Sequence, residues 1–303
     1  MVQNDFTGPG KEDDQKGLYS LENADLFNML CIPPYQLNAT GLDVENTLLG
    51  QAAAYCERRR AFLLVDPPSD WDTTDKAKNG LSALGTTSSQ SALFFPRLLQ
   101  PNPLRDDEVE AFVPSGALAG VFARIDATYG VWKAPAGMHA TLSGVPQLSV
   151  PLNDAENQEL TRLGINCLRS FPLASPVVWG ARTLQGDDRL ASEWKYIPVR
   201  RMALFIEESL YRGTNWAVLE PNDEPLGARL RLNVSAFMQT LFVQGAFQGA
   251  TPRDAYFVKC DSQTMTQNDI DLGIVNIVVG FAPLKPAEYV VISILQRASP
   301  PSP

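Results

Sequence analysis

Residues Leu26–Pro68 read LFNMLCIPPYQLNATGLDVENTLLGQAAAYCERRRAFLLVDPP. The run opens on a short apolar stretch, Leu26 to Pro34, stopped by two prolines that cannot continue a sheet ladder. Glu45 to Arg60 then changes period: Leu48, Ala52, Tyr55 and Cys56 fall on one face of a helix, with Glu57 to Arg60 expected in solvent. AFLLVDPP, Ala61 to Pro68, repeats the apolar run closed by two prolines. Strand, helix and strand within about 40 residues form a βαβ unit, which implies a parallel pair joined by a right-handed crossover.

Working outward, the same alternation continues. SALFFPRLL (91–99) has the composition of a third strand. VPSGALAGVFARIDATYGVWKAP (113–135) opens on Pro-Ser and predicts a helix reaching Gly130. LNDAENQELTRLGIN (152–166) predicts a helix capped by Asn153 or Asp154 and stopped at Gly164. PVVWGARTL (176–184) reads as a further strand. Upstream, residues 1–17 are polar, without the apolar stretch of a secretory leader, and are expected to be an extended or mobile lead-in. GDDRLASE (186–193) breaks the pattern. Beyond it come a strand passing into a helix (194–214), a long amphipathic helix (225–247) and two strand-like runs (255–262 and 271–283). The expected organisation is therefore a lead-in over 1–17, an α/β layer domain over 18–186, a smaller α+β domain over 187–297 and a Pro/Ser tail over 298–303.

The totals narrow the function. Of 303 residues, 45% are hydrophobic and 19% charged, a globular composition with ample material for a core. A formal charge of −9 argues against a nucleic-acid partner, and no run of eighteen apolar residues exists to span a bilayer. The four cysteines, Cys31, Cys56, Cys167 and Cys260, are widely spaced, and are expected to be reduced thiols packed as small hydrophobes. His139, the one histidine, rules out a two-histidine metal centre and sits in a Gly/Pro-flanked loop. No metal site or cofactor is expected: GLSALGTTSS (80–89) lacks the Gly-Lys-Ser/Thr of a phosphate-binding loop, and neither GxGxxG nor GxSxG occurs.

Two carboxylates invite a catalytic reading. Asp66 stands at the carboxyl end of a parallel strand, where α/β folds place their sites, although DPP also serves simply to end that strand. Asp126 has Arg124 beside it and Arg182 within reach of the fold, so a structural ion pair drawn from Arg124, Asp126 and Arg182 is the expected outcome. A hydrolase built on Asp66 or Asp126, with a serine nucleophile from TTSSQS, is the alternative, and the lone His139 weighs against it.

The remaining feature is GFAPLKPAEYVVISILQ (280–296). Its residues Glu288, Tyr289, Val290, Val291, Ile292, Ser293, Ile294, Leu295 and Gln296 form a strand of low charge, which is an aggregation hazard unless something pairs with its edges. The partner is either the same molecule or another.

Seven stretches together resemble the contractile tail sheath proteins of bacteriophages and related injection machines. They are KGLYSLENADLFNMLCIPP (16–34), AAAYCERRRAFLLVDPP (52–68), PSGALAGVFARIDATYGVWKAPAG (114–137), LGINCLRSF (163–171), VVWGARTL (177–184), WKYIPVRRMALFIEESL (194–210) and GFAPLKPAEYVVISILQ. The match runs from Lys16 to Gln296 in the family's order. The resemblance implies a cofactor-free structural subunit, assembled in the cytoplasm into a phage tail or phage-tail-like particle. It would stack in helical layers around an inner tube and contract by rearranging interfaces. Its implied partners are other copies of itself, the inner tube protein, and baseplate and terminator or cap proteins, with no nucleic acid and no membrane insertion. It further implies that the first domain is subtilisin-like in architecture and that residues 288–296 join neighbouring subunits by strand addition. A sheath-like baseplate or cap protein would share these motifs. Family members usually carry an N-terminal arm before GLYSL, where only 16 residues stand here, so the chain is expected to be either the later part of a longer protein or a shortened relative.

Overall fold

The computed structural model describes residues 1–172, 175–261 and 263–288. At its centre is a five-stranded sheet made of β1 (Met29–Leu30), β2 (Phe62–Val65), β3 (Ser91–Phe95), β4 (Ile165–Arg169) and β5 (Val177–Val178). The spatial order follows the chain order; β1 to β4 are parallel and β5 returns antiparallel to β4. The expected βαβ unit is thus present, with α1 (Asn46–Arg58) as its crossover.

Alternation along the strands builds two cores. Leu63, Val65, Leu93, Phe95, Ile165 and Cys167 face one side, where α1 presents Leu48, Ala52, Tyr55 and Cys56. Phe62, Leu64, Ala92, Phe94 and Leu168 face the other, under α2 (Ser115–Tyr129) with Leu118, Val121, Phe122 and Ile125 at helical spacing. Strands buried on both faces read as continuous apolar runs, which is why FLLV and ALFF carry no polar residue. A further helix, α3 (Asp154–Arg162), begins with Asn153 as its cap: the side chain accepts from Glu156 N, and the Glu156 carboxylate accepts in return from Asn153 N.

The second half is organised by α4 (Ile197–Gly213) and α5 (Glu224–Val243), followed by a hairpin-like pair, β6 (Tyr256–Lys259) and β7 (Val278–Phe281), which are antiparallel. Helix α4 serves both halves. Ile197 and Leu204 join the sheet's second core, whereas Met202 and Ile206 pack with Val234, Met238, Leu241 and Phe247 in a third.

Several expectations change in detail. Residues 1–17 are not extended: Gln3–Thr7 is helical, Phe6 stacks on Tyr35 with ring centroids 4.7 Å apart, and Arg58 pairs with Glu12. The arginines at the end of α1 are tied rather than free, since Arg59 donates to the Leu21 and Ala24 carbonyls and Arg60 pairs with Glu208. SALFFPRLL is two strands, because the chain leaves the central sheet after Phe95. Leu98–Asn102 then joins Glu108–Phe112 and Gln147–Leu148 in a separate three-stranded sheet. The thiols of Cys56, Cys167 and Cys260 are buried and Cys31 is half-buried; all four are free.

Phe94 is fully buried and packs edge-on against Phe122 at 6.1 Å, which makes it a keystone between β3 and α2. Phe94→Ala should lower unfolding free energy by roughly 3–5 kcal/mol in a urea titration. A loss below about 1 kcal/mol would show that this face is not close-packed.

Candidate assembly site

The expected strand 176–184 is regular only at Val177–Val178, yet its continuation is held in place by other means. Trp179 N donates to Cys167 O at 2.8 Å. The buried Asn166 side chain then takes over from the ladder: its Oδ1 accepts Arg182 N at 2.6 Å, and its Nδ2 donates to Arg182 O at 2.7 Å and Leu93 O at 3.0 Å. A side-chain amide presents the same donor and acceptor as a peptide group, so it can stand in for a neighbouring strand. Gly180 passes so close that a Cβ would lie 2.8 Å from Asn166, which accounts for glycine in VWGAR.

This backbone delivers Arg182, only 1% exposed, into the interior. Its Nε and Nη2 each donate to a Glu288 oxygen at 2.6 Å, a bidentate pair. Nη1 donates to Gly186 O at 2.8 Å and Asp188 Oδ1 at 2.9 Å, and Lys195 Nζ reaches the same Asp188 oxygen at 2.7 Å. Burial alone would depress the guanidinium's pKa, but Glu288 and Asp188 outweigh it and hold the group above its ordinary value. Glu288 lies 106 positions from Arg182 and is the final described residue, so the clasp fixes the point at which residues 289–296 begin. Those eight positions of the expected linking strand lie outside the described residues.

The expected ion pair takes other partners. Asp126 is bonded not by Arg124 or Arg182 but by Arg201, through Nη1 at 2.8 Å and Nη2 at 2.6 Å. Arg201 is buried and its guanidinium lies 5.0 Å from the Phe122 ring centroid, tying α2 to α4. Arg124 instead donates to the Thr141 carbonyl at 2.7 Å. The reason is helical phase: residues 197, 201 and 204 share one face of α4, which places Arg201 inward over α2. That spacing was the overlooked signal.

Asp66 has a structural duty. Pro114, the cap position of α2, offers no side-chain acceptor, and Asp66 supplies one from across the sheet edge, accepting Ser115 N at 2.8 Å and Ser115 Oγ at 2.7 Å. Burial raises its pKa to about 6, against the opposing pull of the Ser115 bonds and Arg97. The hydrolase constellation is not brought together. Ser88 donates to Glu57, Asp126 is taken by Arg201, and His139 is exposed beside Tyr129. Among the described residues, no cluster of His, Cys, Asp and Glu has the arrangement to hold a metal, and no helix is long and apolar enough to cross a membrane.

The best-built polar cluster fastens the segment ending at Glu288 to the layer domain. Comparison with known proteins gives the family. Residues 191–297 match the family model for the phage tail sheath C-terminal domain. A prophage major tail sheath protein of Pseudomonas aeruginosa (strain UCBPP-PA14) is 24% identical over 219 residues, covering 70% of this chain and 53% of that protein. The chain thus spans about half the length of that curated relative. Among solved structures, the PVC sheath complex of an extracellular contractile injection system, in its contracted state, superposes with a TM-score of 0.77 at 30% identity, covering 91% of this chain and 73% of that one. A chain of the anti-feeding prophage baseplate gives 0.75 at 30% identity, covering 92% and 71%. The chain belongs to the contractile tail sheath protein family.

Replacing Arg182 by Met strands the mostly buried Glu288 carboxylate, while Asp188 keeps Lys195, so the loss of stability should be on the order of 3–5 kcal/mol by denaturant titration. Arg182→Lys should rescue little, because an ammonium cannot make the planar two-pronged contact. A wild-type midpoint for Arg182→Met would remove the clasp from the account.

Asp66 gives a pH prediction of defined sign. Its folded pKa is raised above the ordinary 3.8, so the folded state holds the proton more tightly than the unfolded chain. The group's favourable contribution is full below pH about 4 and is lost as pH rises past about 6. Urea midpoints of wild type and Asp66→Asn, taken across that window, should therefore converge on acidification differently from a parallel offset: the wild type alone loses stability through this group as pH rises. Parallel profiles would contradict the assignment.

Proposed function

We propose that the chain is a structural subunit of a contractile sheath, polymerising in layers around an inner tube and driving it forward by rearranging its interfaces rather than by catalysis. The observation that carries this reading is the clasp of Arg182 on Glu288, which holds the start of a β-forming segment against the layer domain. Likeness to sheath and baseplate chains of contractile injection systems supports it, as does the match to a prophage tail sheath protein. Those relatives favour self-association and contact with a baseplate; contact with an inner tube and with terminator or cap proteins follows from the same reading. The particle would be a phage tail or a phage-tail-like injection machine.

In this reading residues 18–186 form the layer domain and 187–297 the smaller joining domain, flanked by a lead-in over 1–17 and a tail over 298–303. A subtilisin-like architecture for the layer domain is supported by its parallel sheet covered by helices on both faces. Stored energy would reside in two alternative packings of each subunit on its neighbours, released together along the polymer. The linking strand, Glu288 to Gln296, would add to a sheet of the adjacent copy, exchanging backbone hydrogen bonds between molecules.

Electron microscopy of the expressed chain should show rings or tubes. Val291→Pro, or removal of the chain from Tyr289 onward, should yield a folded monomer, because proline deletes a ladder donor and fixes φ without touching the layer domain's core. Far-UV circular dichroism and sedimentation together read the outcome. Normal tubes from the truncated chain would sink the joining role, and unfolding would assign the strand to its own core.

A further inference from the structure

A groove of about 750 Å³ opens beside the clasp, between the end of α2, helix α3, the start of α4 and the segment that reaches Glu288. Its walls carry Tyr129, Trp132 and Trp179, with both tryptophans half-buried. Gly130 makes this possible: at φ 96° it turns the chain out of α2, and a Cβ there would collide with the Trp132 ring at 2.5 Å. Thr161 also lines the groove. It is 7% exposed, and its Oγ1, like Asn157 Oδ1 on the turn before, has no hydrogen-bond partner among the described residues. Buried polar atoms are seldom left unpaired, and two of them on successive turns of α3 mark a place where donors from another molecule are expected. Aromatic rings over a trough with a few polar groups are the chemistry that receives a proline-rich segment in the polyproline II conformation.

We propose that this groove is a binding site for a proline-rich segment, and that its occupant is Arg297-Ala298-Ser299-Pro300-Pro301-Ser302-Pro303 of a second copy of the chain. The composition of that segment suits the site: three prolines for the rings, and backbone and side-chain donors for Thr161 and Asn157. The choice of a second copy rests on the reading of residues 289–296 as an extended intersubunit strand. Eight extended residues span about 26–29 Å, which carries the tail away from the groove beginning at its own Glu288. Residues 289–296 would then supply the backbone pairing between copies, and the tail a side-chain lock next to it.

The test uses the full chain. A variant with Pro300, Pro301 and Pro303 changed to Gly leaves the groove without its ligand. Adding an acetylated peptide of sequence 297–303 to it should change tryptophan fluorescence saturably. Trp132→Ala in that background should weaken the peptide roughly tenfold or more, as expected for loss of a central aromatic anchor. Thr161→Val, which keeps shape while deleting the hydroxyl, should weaken it too and covers the case in which Trp132→Ala fails to fold. No saturable change, or binding indifferent to both substitutions, overturns the site. Mixing a chain defective only in the groove (Trp132→Ala) with one defective only in the tail should strengthen association over that of either alone, since each keeps residues 289–296 and lacks only its half of the lock. Failure of that complementation, with peptide binding intact, rejects the second copy as occupant. The two readings fail separately: Val291→Pro would still abolish assembly if only the groove were wrongly assigned, whereas peptide binding would persist if only the strand were.

Discussion

A guanidinium removed from water must find its anions and carbonyls within the protein, and Arg182 finds all of them in two places that are far apart in sequence. Gly186 and Asp188 are local, whereas Glu288 comes from beyond the second domain's hairpin. Releasing Glu288 would cost Arg182 its bidentate partner and leave Nε and Nη2 buried without their acceptors, with Asp188 bonded through Nη1. The segment between β7 and Glu288 is thereby drawn across from the hairpin to the layer domain. Ala282 N bonds to Ala255 O on the way, and Gln248 N bonds to Ala282 O. Everything that follows Glu288 starts from a fixed point.

The same logic explains why three of the stretches that carry the resemblance come together. VWGAR needs its glycine so that Asn166 can replace a strand, and its arginine to receive Glu288. GVWKAPAG forms the adjacent wall of the groove, entered through the positive φ of Gly130. KPAE brings the carboxylate. Three stretches that look unrelated in sequence are faces of one construction. The second tie, Asp126 with Arg201, couples α2 to α4 and so joins the layer domain to the helix that also packs under the third core. Two buried arginines, Arg182 and Arg201, tie the halves together.

How much of this was legible beforehand follows from which forces are local. The βαβ unit was legible because doubly buried strands are uniformly apolar and α1 shows a clean helical face. The Asn153 cap was legible because it acts within three residues of itself. Asp126 and Arg182 both enter partly buried ion pairs as expected, but with Arg201 and Glu288 rather than within the set of Arg124, Asp126 and Arg182; the spacing of residues 197, 201 and 204 on α4 points Arg201 inward. The union of Arg182 with Glu288 leaves no local trace, since neither residue's surroundings specify the other. The collapse of the 176–184 strand to two residues was hidden for a related reason: β-forming side chains specify extended backbone, but not whether the partner is a strand or the side chain of Asn166. Residues 1–17 looked polar enough to be extended, yet Phe6 anchors them on Tyr35 and Glu12 on Arg58.

The most direct test is a cryo-EM map of the assembled chain that traces the backbone past Glu288. The account predicts Glu288 still bidentate on Arg182 of its own subunit, with the next residues running as a strand in the sheet of an adjacent copy. A strand that folds back onto β6 and β7 of the same subunit, or a Glu288 detached from Arg182 in the assembled particle, would contradict it.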